Sequence, residues 1–546
     1  PVYVGWDSRE DIAYQVCRHS ILDRASVPVE IIPVKQSELR DKGIYTREID
    51  PLASTEFTYT RFFIPYLAGH KGWAIFCDCD FLWLSDIKGL IASGLYTPEP
   101  DMRGLYLAMA FGIAPRPMTA FEDVVSLEQA HWMRVHADGR IEKRRYWSIP
   151  LGTQDHGMTE AEAVELLEER LSTAVGRRLV ADVPVGTFMS GGIDSTTVSA
   201  LAAKRHPGIR AFTLAFEETA QELDEEPQAR ATAAMHPMEH IVHRIHPDDT
   251  LQDLGVWVEG YEEPYYSISA NNAISRLVRS HDVTVALNGL GGDELFAGYP
   301  PYAWLPAWRV LRRARPLLAL APGMLGDRGE RLRAMAAASS ADRFHTVMFA
   351  RGLDPHLRAL FRGGETEEMD TVETVRQLYV GDRQFEDDVE AMTFMDLMNY
   401  IGNHHVHRID QYSMMHSVEG RFPFLDHELV EAALRIPSRF KVKGKGRKYV
   451  LRQVARKHIA PACLEMKKKG FSLPLNQWMA GPLRGFVQTR LEHLKGLPYI
   501  RPEEVDRCNR AYQAGKLTAR HVWHLVALAL WPPRFIHARE PVASPP

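Results

Sequence analysis

Between residues 160 and 300, short apolar runs alternate with longer amphipathic segments. The predicted elements are helices over 160–179 and 224–234, and strands over 211–216, 240–245 and 283–287. Such alternation is typical of a doubly wound parallel sheet that carries helices on its faces. Beyond Pro300 the pattern predicts mostly helices, and the apolar run from Val522 to Trp531 is typical of a core helix. The expected fold class of this region is therefore α/β, with a helical C-terminal part.

A separate strand–helix–strand pattern occupies the N-terminal residues. It predicts strands over 1–5 and 29–34 and a helix over 11–22, followed by an apolar run that ends in Asp-x-Asp. Two carboxylates directly after a hydrophobic strand suit a divalent metal that bridges nucleotide phosphates. Asp78 and Asp80 are therefore candidate ligands of a divalent metal ion.

A glycine turn follows the first apolar strand of the α/β region. The apolar run 183–189 is followed by Ser-Gly-Gly at 190–192, and a helical pattern begins with Asp-Ser at 194–195. Free backbone N–H groups and the positive end of a helix dipole bind phosphate groups well at such a turn. Two glycines also allow a close approach of the ligand. The turn predicts binding of nucleotide phosphates, and an ordinary glycine turn before a helix is the alternative.

A second glycine turn follows the apolar strand 283–287. It reads Asn-Gly-Leu-Gly-Gly-Asp-Glu from residue 288 to residue 294. In open α/β sheets ligands bind at the carboxyl ends of the strands, so we expect Asp194 and Asp293 to face one crevice. Mg²⁺ takes few protein ligands and shares phosphate oxygens, which suits two carboxylates beside a triphosphate. The two turns together predict nucleotide phosphates and Mg²⁺ as ligands, whereas Asp293 alone could be a solvated turn residue.

Composition and charge narrow the class of protein. Apolar residues make up 45% and charged residues 25% of the 546 residues, which is usual for a globular protein in water. The formal net charge of −5 gives no reason to expect nucleic acid or an anionic membrane as a partner. Apolar runs stay short of the roughly 18 residues that a membrane helix needs. The five cysteines suit a reducing compartment, so we expect a cytoplasmic protein without nucleic-acid or membrane partners.

From about residue 104 to residue 480 the sequence resembles the asparagine synthetase family of glutamine-dependent amidotransferases. Besides the two glycine turns, three later blocks carry the resemblance. They are 408–427, which is similar to a long helical segment of the family, Lys-Tyr-Val-Leu-Arg at 448–452, and Lys-Lys-Lys-Gly-Phe at 467–471. In this family ATP converts a carboxylate to an acyl-adenylate, and ammonia then displaces AMP. The resemblance implies an ATP-dependent ligase that forms a carbon–nitrogen bond on a small-molecule carboxylate.

The resemblance also implies roles for individual residues, carried over by matching position. The residues expected to bind phosphates are Ser190, Gly191, Gly192, Asp194 and Ser195, those expected around the adenosine are Met189, Leu214, Asn288 and Gly289, and those expected to hold Mg²⁺ are Asp194 and Asp293. Lys468 is expected to stabilise the leaving pyrophosphate, because a preorganised cation offsets the charge that develops there. A surface lysine in a basic run is the alternative interpretation of Lys468.

One position departs from the family pattern. Asparagine synthetases resemble one another in an acidic residue at the third position of the second turn, where this chain has Leu290. Leucine cannot accept a proton or bind an ammonium group. Either a nearby carboxylate takes over, or the substrate is an acid other than aspartate, such as a sugar acid. The carboxylates considered are Glu259, Glu262, Glu263 and Glu294, of which Glu263 is the catalytic candidate.

The glutaminase domain of the family has only a partial counterpart here. Its catalytic cysteine is an N-terminal residue, whereas this chain begins with Pro1 and its first cysteine is Cys17, which has no free α-amino group. Residues 105–147 resemble only the last strands and the exit linker of that domain. We therefore expect the enzyme to use free ammonia or ammonia from a separate glutaminase, and a homodimer is left open.

Residues 1–92 resemble instead the start of a Rossmann-like, nucleotide-sugar glycosyltransferase. The expected organisation is a glycosyltransferase-like fragment at 1–92, a junction with a glutaminase remnant at 93–150, and an asparagine synthetase-like domain at 151–540, divided into a nucleotide-binding part at 151–300 and a mostly helical part at 301–540. This resemblance implies that Asp78 and Asp80 bind Mn²⁺. For the N-terminal fragment, Mn²⁺-dependent glycosyl transfer and an inactive docking role are both open.

Overall fold

The structure of the chain is a computed structural model. It describes residues 2–5, 11–25, 28–45, 75–77, 99–135, 140–216, 225–245, 263–264, 270–316, 326–350, 354–363, 366, 368–444, 446–466, 479–481 and 483–535. The chain divides into two compact units, one formed by Pro1–Thr97 with Ala130–Trp147, the other by Pro98–Gln129 with Ser148–Pro546. The segment 93–150, which the sequence analysis treats as one region, is thus shared between the two units. The three predicted domain boundaries stay predictions.

The smaller unit contains a three-stranded parallel sheet. Its elements are β1 (Val2–Gly5), α1 (Asp11–Arg24), β2 (Ile31–Val34), α2 (Gln36–Asp41), β3 (Ile75–Cys77) and a hairpin of β4 (His131–Val135) with β5 (Ile141–Arg145). The sheet order is β2-β1-β3, and all four residues of β1 are buried. The predicted strand–helix–strand pattern is confirmed. The resemblance to a glycosyltransferase stays a prediction, and Asp78 and Asp80 lie outside the described residues.

The larger unit combines a parallel sheet with many helices. Its strands are β6 (Val185–Phe188), β7 (Ile209–Phe216), β8 (Met238–Ile245), β9 (Val285–Leu287) and β10 (Glu419–Arg421). Its helices are α3 (Met102–Phe111), α4 (Glu160–Arg178), α5 (Ile193–Arg205), α6 (Glu226–Ala233), α7 (Ala270–Ser280), α8 (Gly292–Leu295), α9 (Pro300–Arg313), α10 (Gly326–Ala337), α11 (Ala341–Phe349), α12 (Asp354–Leu360), α13 (Thr371–Tyr379), α14 (Asp388–Met395), α15 (Val406–Met414), α16 (His427–Arg435), α17 (Ser438–Lys441), α18 (Tyr449–Ala455), α19 (Pro461–Glu465), α20 (Arg484–Lys495), α21 (Pro502–Gln513) and α22 (Ala519–Phe535). A π-helix spans Asp396–His405 and a 3₁₀ turn spans Pro423–Leu425.

The order of the strands places the two glycine turns side by side. The sheet runs β10-β9-β6-β7-β8 and every pairing is parallel. From β6 the chain proceeds outward through β7 and β8, and it then returns to the other side of β6 as β9. The order therefore reverses between β6 and β9, which is where open α/β sheets bind ligands. The predicted parallel sheet and the predicted helical C-terminal part are both confirmed.

Residues Met102–Phe111 form helix α3, so the expectation that residues 105–147 contain the last strands of a glutaminase-like domain is wrong for this part; within the same range, β4 and β5 are strands. Helix α3 begins after Asp101, whose side chain accepts from the amides of Arg103 and Gly104, and it ends at Gly112 in the left-handed conformation (φ +93°). Every residue from Gly104 to Phe111 is buried, in a core that also includes α13, α20 and α22. A run this apolar fits a buried helix as well as a strand.

The block 408–427 is not one helical segment as the resemblance suggested. Helix α15 ends at Met414, and Ser417 adopts a positive φ of +54° that turns the chain. The next residues form β10, which pairs in parallel with β9 and extends the sheet. The amide of Asn288 also donates to the Arg421 carbonyl at 2.8 Å. This block therefore supports the second glycine turn from the edge of the sheet.

Within the described ranges, no helix is both long enough and apolar enough to span a membrane.

Candidate active site

The first glycine turn connects β6 to α5 and is closed by hydroxyl groups. The Ser190 amide donates to Ser195 Oγ at 3.0 Å, and the Gly192 amide donates to Ser190 Oγ at 3.0 Å. The Thr196 hydroxyl lies 2.6 Å from the carbonyl oxygens of both Ser190 and Gly192. These contacts hold the turn in a defined shape.

Gly191 allows another helix to approach the turn closely. A Cβ at this position would lie 2.8 Å from the Glu225 carbonyl oxygen and 2.8 Å from Gln228 Cβ. Glu225 caps helix α6, which begins at Glu226. Any larger residue at position 191 would push α6 away, so packing requires the glycine here.

The second glycine turn packs directly on the first. A Cβ on Gly289 would lie 2.3 Å from the Ser195 nitrogen, and a Cβ on Gly292 would lie 2.6 Å from Asp194 Cγ. Such separations are open only to glycine. The two turns therefore form one surface, and Asp194 and Asp293 are brought together on it.

Lys448 lies between these two aspartates. Its Nζ is 2.7 Å from Asp293 Oδ1 and also forms an ion pair with Asp194 Oδ2. Lys448 is buried, with 7% of its surface exposed, and it has a left-handed backbone (φ +55°) at the start of α18. Its amide donates to the Phe296 carbonyl at 3.1 Å, which ties it to the segment after the second turn.

The charges of this centre favour a cation. Burial by itself would lower the pKa of Lys448, but the charges of Asp194 and Asp293 outweigh it and hold that pKa above the ordinary 10.5. One ammonium thus faces two carboxylates, which leaves a net negative charge. In the described part of the chain, no group of three or more His, Cys, Asp and Glu side chains could hold a metal by itself. An ion that shares phosphate oxygens, as Mg²⁺ does, needs fewer protein ligands.

Glu294 follows Asp293 and is a buried carboxylic acid. Tyr299 donates its hydroxyl to Glu294 Oε1 at 2.5 Å. Burial, followed by the charge of Asp293, raises the pKa of Glu294 to about 8. At neutral pH this carboxyl is therefore mostly protonated, so it does not repel Asp293.

The residues expected around the adenosine lie next to the first turn and at the start of the second. Met189 and Leu214 are buried, and the Met189 carbonyl accepts from the Thr213 hydroxyl at 2.7 Å. Asn288 Oδ1 accepts from the Leu290 amide at 2.9 Å, which shapes the second turn. The structure places these side chains beside the glycine turns; their role in nucleotide binding stays a prediction.

The remaining predicted residues are placed elsewhere or lie outside the described residues. Glu263 is buried and its Oε2 accepts from the Ala114 amide at 2.6 Å, so it anchors the segment after α3. Lys468, Glu259 and Glu262 lie outside the described residues.

Lys448 is the site residue that the sequence analysis did not single out. Its signal was present, because it opens the Lys-Tyr-Val-Leu-Arg block at 448–452. Nothing in that block shows that its first lysine is buried between two aspartates, 254 residues from one of them along the chain.

Comparison with known proteins identifies the family. The family model described as asparagine synthase matches residues 166–532. The chain belongs to the asparagine synthase family.

Similarity to individual proteins agrees with this assignment. The chain is 26% identical over 447 residues to "Asparagine synthetase [glutamine-hydrolyzing] 1" of Bacillus subtilis, which covers 79% of this chain and 69% of that protein. It is 27% identical over 476 residues to "Amidase chyE" of Penicillium rubens, which covers 76% of this chain and 68% of that protein. Membership in the asparagine synthase family supports an enzyme of the ligase or amidotransferase type.

A further similarity is much shorter and stronger. The chain is 60% identical over 89 residues to "Protein CDI" of Arabidopsis thaliana, which covers 16% of this chain and 34% of that protein. The chain thus spans about a third of that relative.

Proposed function

We propose that this member of the asparagine synthase family is an ATP-dependent ligase that amidates a small-molecule carboxylate through an acyl-adenylate. The observation that carries the proposal is the centre formed by Lys448, Asp194 and Asp293 where two glycine turns meet. A glycine cradle, a buried lysine and two carboxylates that can hold a metal suit nucleotide adenylation, because such groups stabilise the charge that develops on the phosphates.

The two glycine turns suit the phosphates of ATP. The first turn opens a helix of 13 residues, α5, whose N-terminus attracts anions. Asp194 and Asp293 would hold Mg²⁺, since their combined charge exceeds that of Lys448 by one. When bound there, the ion would polarise the phosphate oxygens and neutralise the charge that builds on the leaving group.

Lys448 is suited to stabilise the departing pyrophosphate. In the adenylation step the substrate carboxylate oxygen attacks the α-phosphorus, the bond to the β-phosphate oxygen breaks, and negative charge moves onto pyrophosphate. A buried ammonium that stays charged offsets this developing charge once it lies beside the pyrophosphate. Lys468 is the second candidate for this role, from the resemblance, and the variants Lys448→Met and Lys468→Met distinguish the two.

The second half-reaction is attack of ammonia on the acyl carbon, with departure of AMP. Ammonia would come from solution or from a separate glutaminase. Ammonia that arrives as ammonium must lose a proton, and Leu290 cannot take it. Of the carboxylates considered for this role, Glu294 lies beside Asp293, but its pKa of about 8 leaves it mostly protonated at neutral pH, so it can take the proton only in its ionised form. Glu263 instead accepts from the Ala114 amide.

The substrate acid is either aspartate or another carboxylate, such as a sugar acid. The relatives named asparagine synthetase favour aspartate, and those named amidase favour an acid of another kind. Leu290 favours the second group, because it replaces an acidic residue with an apolar one.

The test is release of pyrophosphate from ATP and Mg²⁺ with ammonium or glutamine as the nitrogen donor. The acids offered are aspartate and a panel of sugar acids, and the matched control is Asp293→Asn, which keeps the shape but removes the charge. Turnover with aspartate and ammonium would show an ammonia-dependent asparagine synthetase that tolerates Leu290. Turnover with another acid alone would make Leu290 a mark of altered specificity. A folded protein that releases no pyrophosphate with any acid would refute the proposal.

A further inference from the structure

We propose that Arg452 is a positioning residue that holds Lys448 in place against the first glycine turn. The inference rests on the proposed function, in which Lys448 meets the phosphates. It concerns a side chain that touches neither aspartate and that no part of the proposed chemistry uses.

The first contact of Arg452 fixes the backbone on which Lys448 stands. Arg452 Nε donates to the Arg447 carbonyl at 3.1 Å, and the Arg452 amide donates to the Lys448 carbonyl at 2.8 Å. The Arg452 side chain therefore holds the peptide group before Lys448, and the backbone amide of the same residue holds the peptide group after it. Lys448 needs such support, because a left-handed backbone is unfavourable for a residue other than glycine.

The second contact of Arg452 ties this turn to helix α19. Arg452 Nη1 donates to the Leu464 carbonyl at 2.6 Å. The neighbouring Cys463 lies with its Sγ 3.3 Å from the Gln228 carbonyl, and Gln228 Cβ is one of the atoms that a Cβ on Gly191 would meet. A continuous set of contacts thus runs from Lys448 through Arg452, α19 and α6 to the first glycine turn.

The chemistry of the guanidinium suits this bridge. Its planar array of N–H donors can serve two carbonyl groups in different directions at once, whereas a lysine ammonium is a single point. Burial and the nearby Arg447 lower the pKa of Arg452, while Asp194 opposes them. The guanidinium therefore lies within the electrostatic field of Asp194 without contacting it.

The matched control is Arg456, which lies one turn further along and is exposed. Its guanidinium donates to Gln453 Oε1 at 3.0 Å on the surface. Arg452→Lys and Arg452→Ala are compared with Arg456→Lys and Arg456→Ala. Each variant is measured for kcat and KM for ATP in pyrophosphate release, and for its thermal unfolding midpoint.

We expect Arg452→Lys to lower kcat at least tenfold while KM for ATP changes less than threefold, because a displacement of about 1 Å at a reacting group can cost on the order of 100-fold. Added guanidinium ion should restore part of the activity of Arg452→Ala without moving its unfolding midpoint. It should leave Arg456→Ala and Lys448→Ala unchanged. Arg452 variants that keep wild-type kcat, or whose loss of kcat follows their loss of thermal stability, would overturn the inference.

A second measurement does not depend on activity. The Lys448 amide is hydrogen bonded to the Phe296 carbonyl, so its hydrogen exchange reports whether the turn keeps its shape. We expect exchange at this amide to be at least tenfold faster in Arg452→Ala than in Arg456→Ala. Equal exchange in the two variants would refute the positioning role, even if the wild-type enzyme released no pyrophosphate and the proposed function had failed.

Discussion

Replacing Gly298 with alanine would place a methyl group inside the contact between Asp293 and Lys448. The new Cβ would lie 1.9 Å from Asp293 Oδ1 and 2.2 Å from Lys448 Cε. Real Cβ atoms essentially never come within 3.0 Å of a heavy atom outside their own residue and its chain neighbours. Both side chains would therefore have to move by about 1 Å, which would separate atoms that lie 2.7 Å apart in the native ion pair.

Two effects should follow, and both can be estimated. Overpacking of a buried site costs about 1–3 kcal/mol in the free energy of unfolding. A shift of about 1 Å in a group that meets the substrate can cost on the order of 100-fold in rate. We therefore expect Gly298→Ala to unfold at lower urea concentration and to release pyrophosphate about 100 times more slowly than the wild type.

The control is Gly485→Ala. Gly485 lies in α20, and a Cβ there would have no heavy atom within 4 Å. Alanine should stabilise this helix by up to about 1 kcal/mol and leave the rate unchanged. A Gly298→Ala protein with native stability and native kcat would refute the reasoning, because it would mean that the Lys448–Asp293 contact is dispensable.

Three further predictions concern charge and packing. Lys448→Met should abolish pyrophosphate release and lower the free energy of unfolding by about 3–5 kcal/mol. The aspartates raise the pKa of Lys448 above 10.5. Urea titrations should therefore show the full difference in stability between wild type and variant at neutral pH, and the difference should shrink only as the pH rises above 10.5 through the raised pKa. Burial raises the pKa of Glu294 from 4.5 to about 8, so ionisation of Glu294 opposes folding as the pH rises through that range. Glu294→Gln should therefore become more stable relative to the wild type over the same range in urea unfolding. A difference in stability that does not change with pH would contradict this. Leu107 lies in α3 at 0% exposure, so Leu107→Ala should lower the free energy of unfolding in urea by about 2–5 kcal/mol. Val125 is exposed, so Val125→Ala should lower it by less than about 0.5 kcal/mol. Equal losses would contradict the burial of α3.

The parallel sheet could be predicted because four of its strands, β6 to β9, contain short apolar runs next to helical patterns. The glycine turns could be predicted for a related reason: the residues that shape each turn are neighbours in the sequence. The apolar segment around residues 106–115 could not be assigned from its pattern, since a fully apolar run has the same appearance in a buried helix and a buried strand. Asp101 before it and Gly112 after it are the cap residues that favoured a helix.

Strand β10 could not be predicted from the resemblance to the family, which suggested a helical segment there. The three residues Glu419–Arg421 form a strand only because β9 presents an open edge to them. A segment this short has no periodicity of its own to read. Its structure depends on pairing with β9, which lies more than a hundred residues earlier in the chain, and the local sequence pattern contains no information about such a partner.

The charge balance of the site could not be predicted from the sequence, because it depends on the position of Lys448. The sequence placed two aspartates near a triphosphate and predicted a metal between them, but the third charged group lies 254 residues after Asp194. With Lys448 in contact with both aspartates, these carboxylates are already partly neutralised. If Asp194 and Asp293 bind Mg²⁺ as proposed, they must give up part of their contact with Lys448 when the nucleotide enters. The phosphates would then be the nearest anions to the Lys448 ammonium. Binding of Mg²⁺ by the two carboxylates and movement of Lys448 toward the pyrophosphate would therefore be one coupled rearrangement.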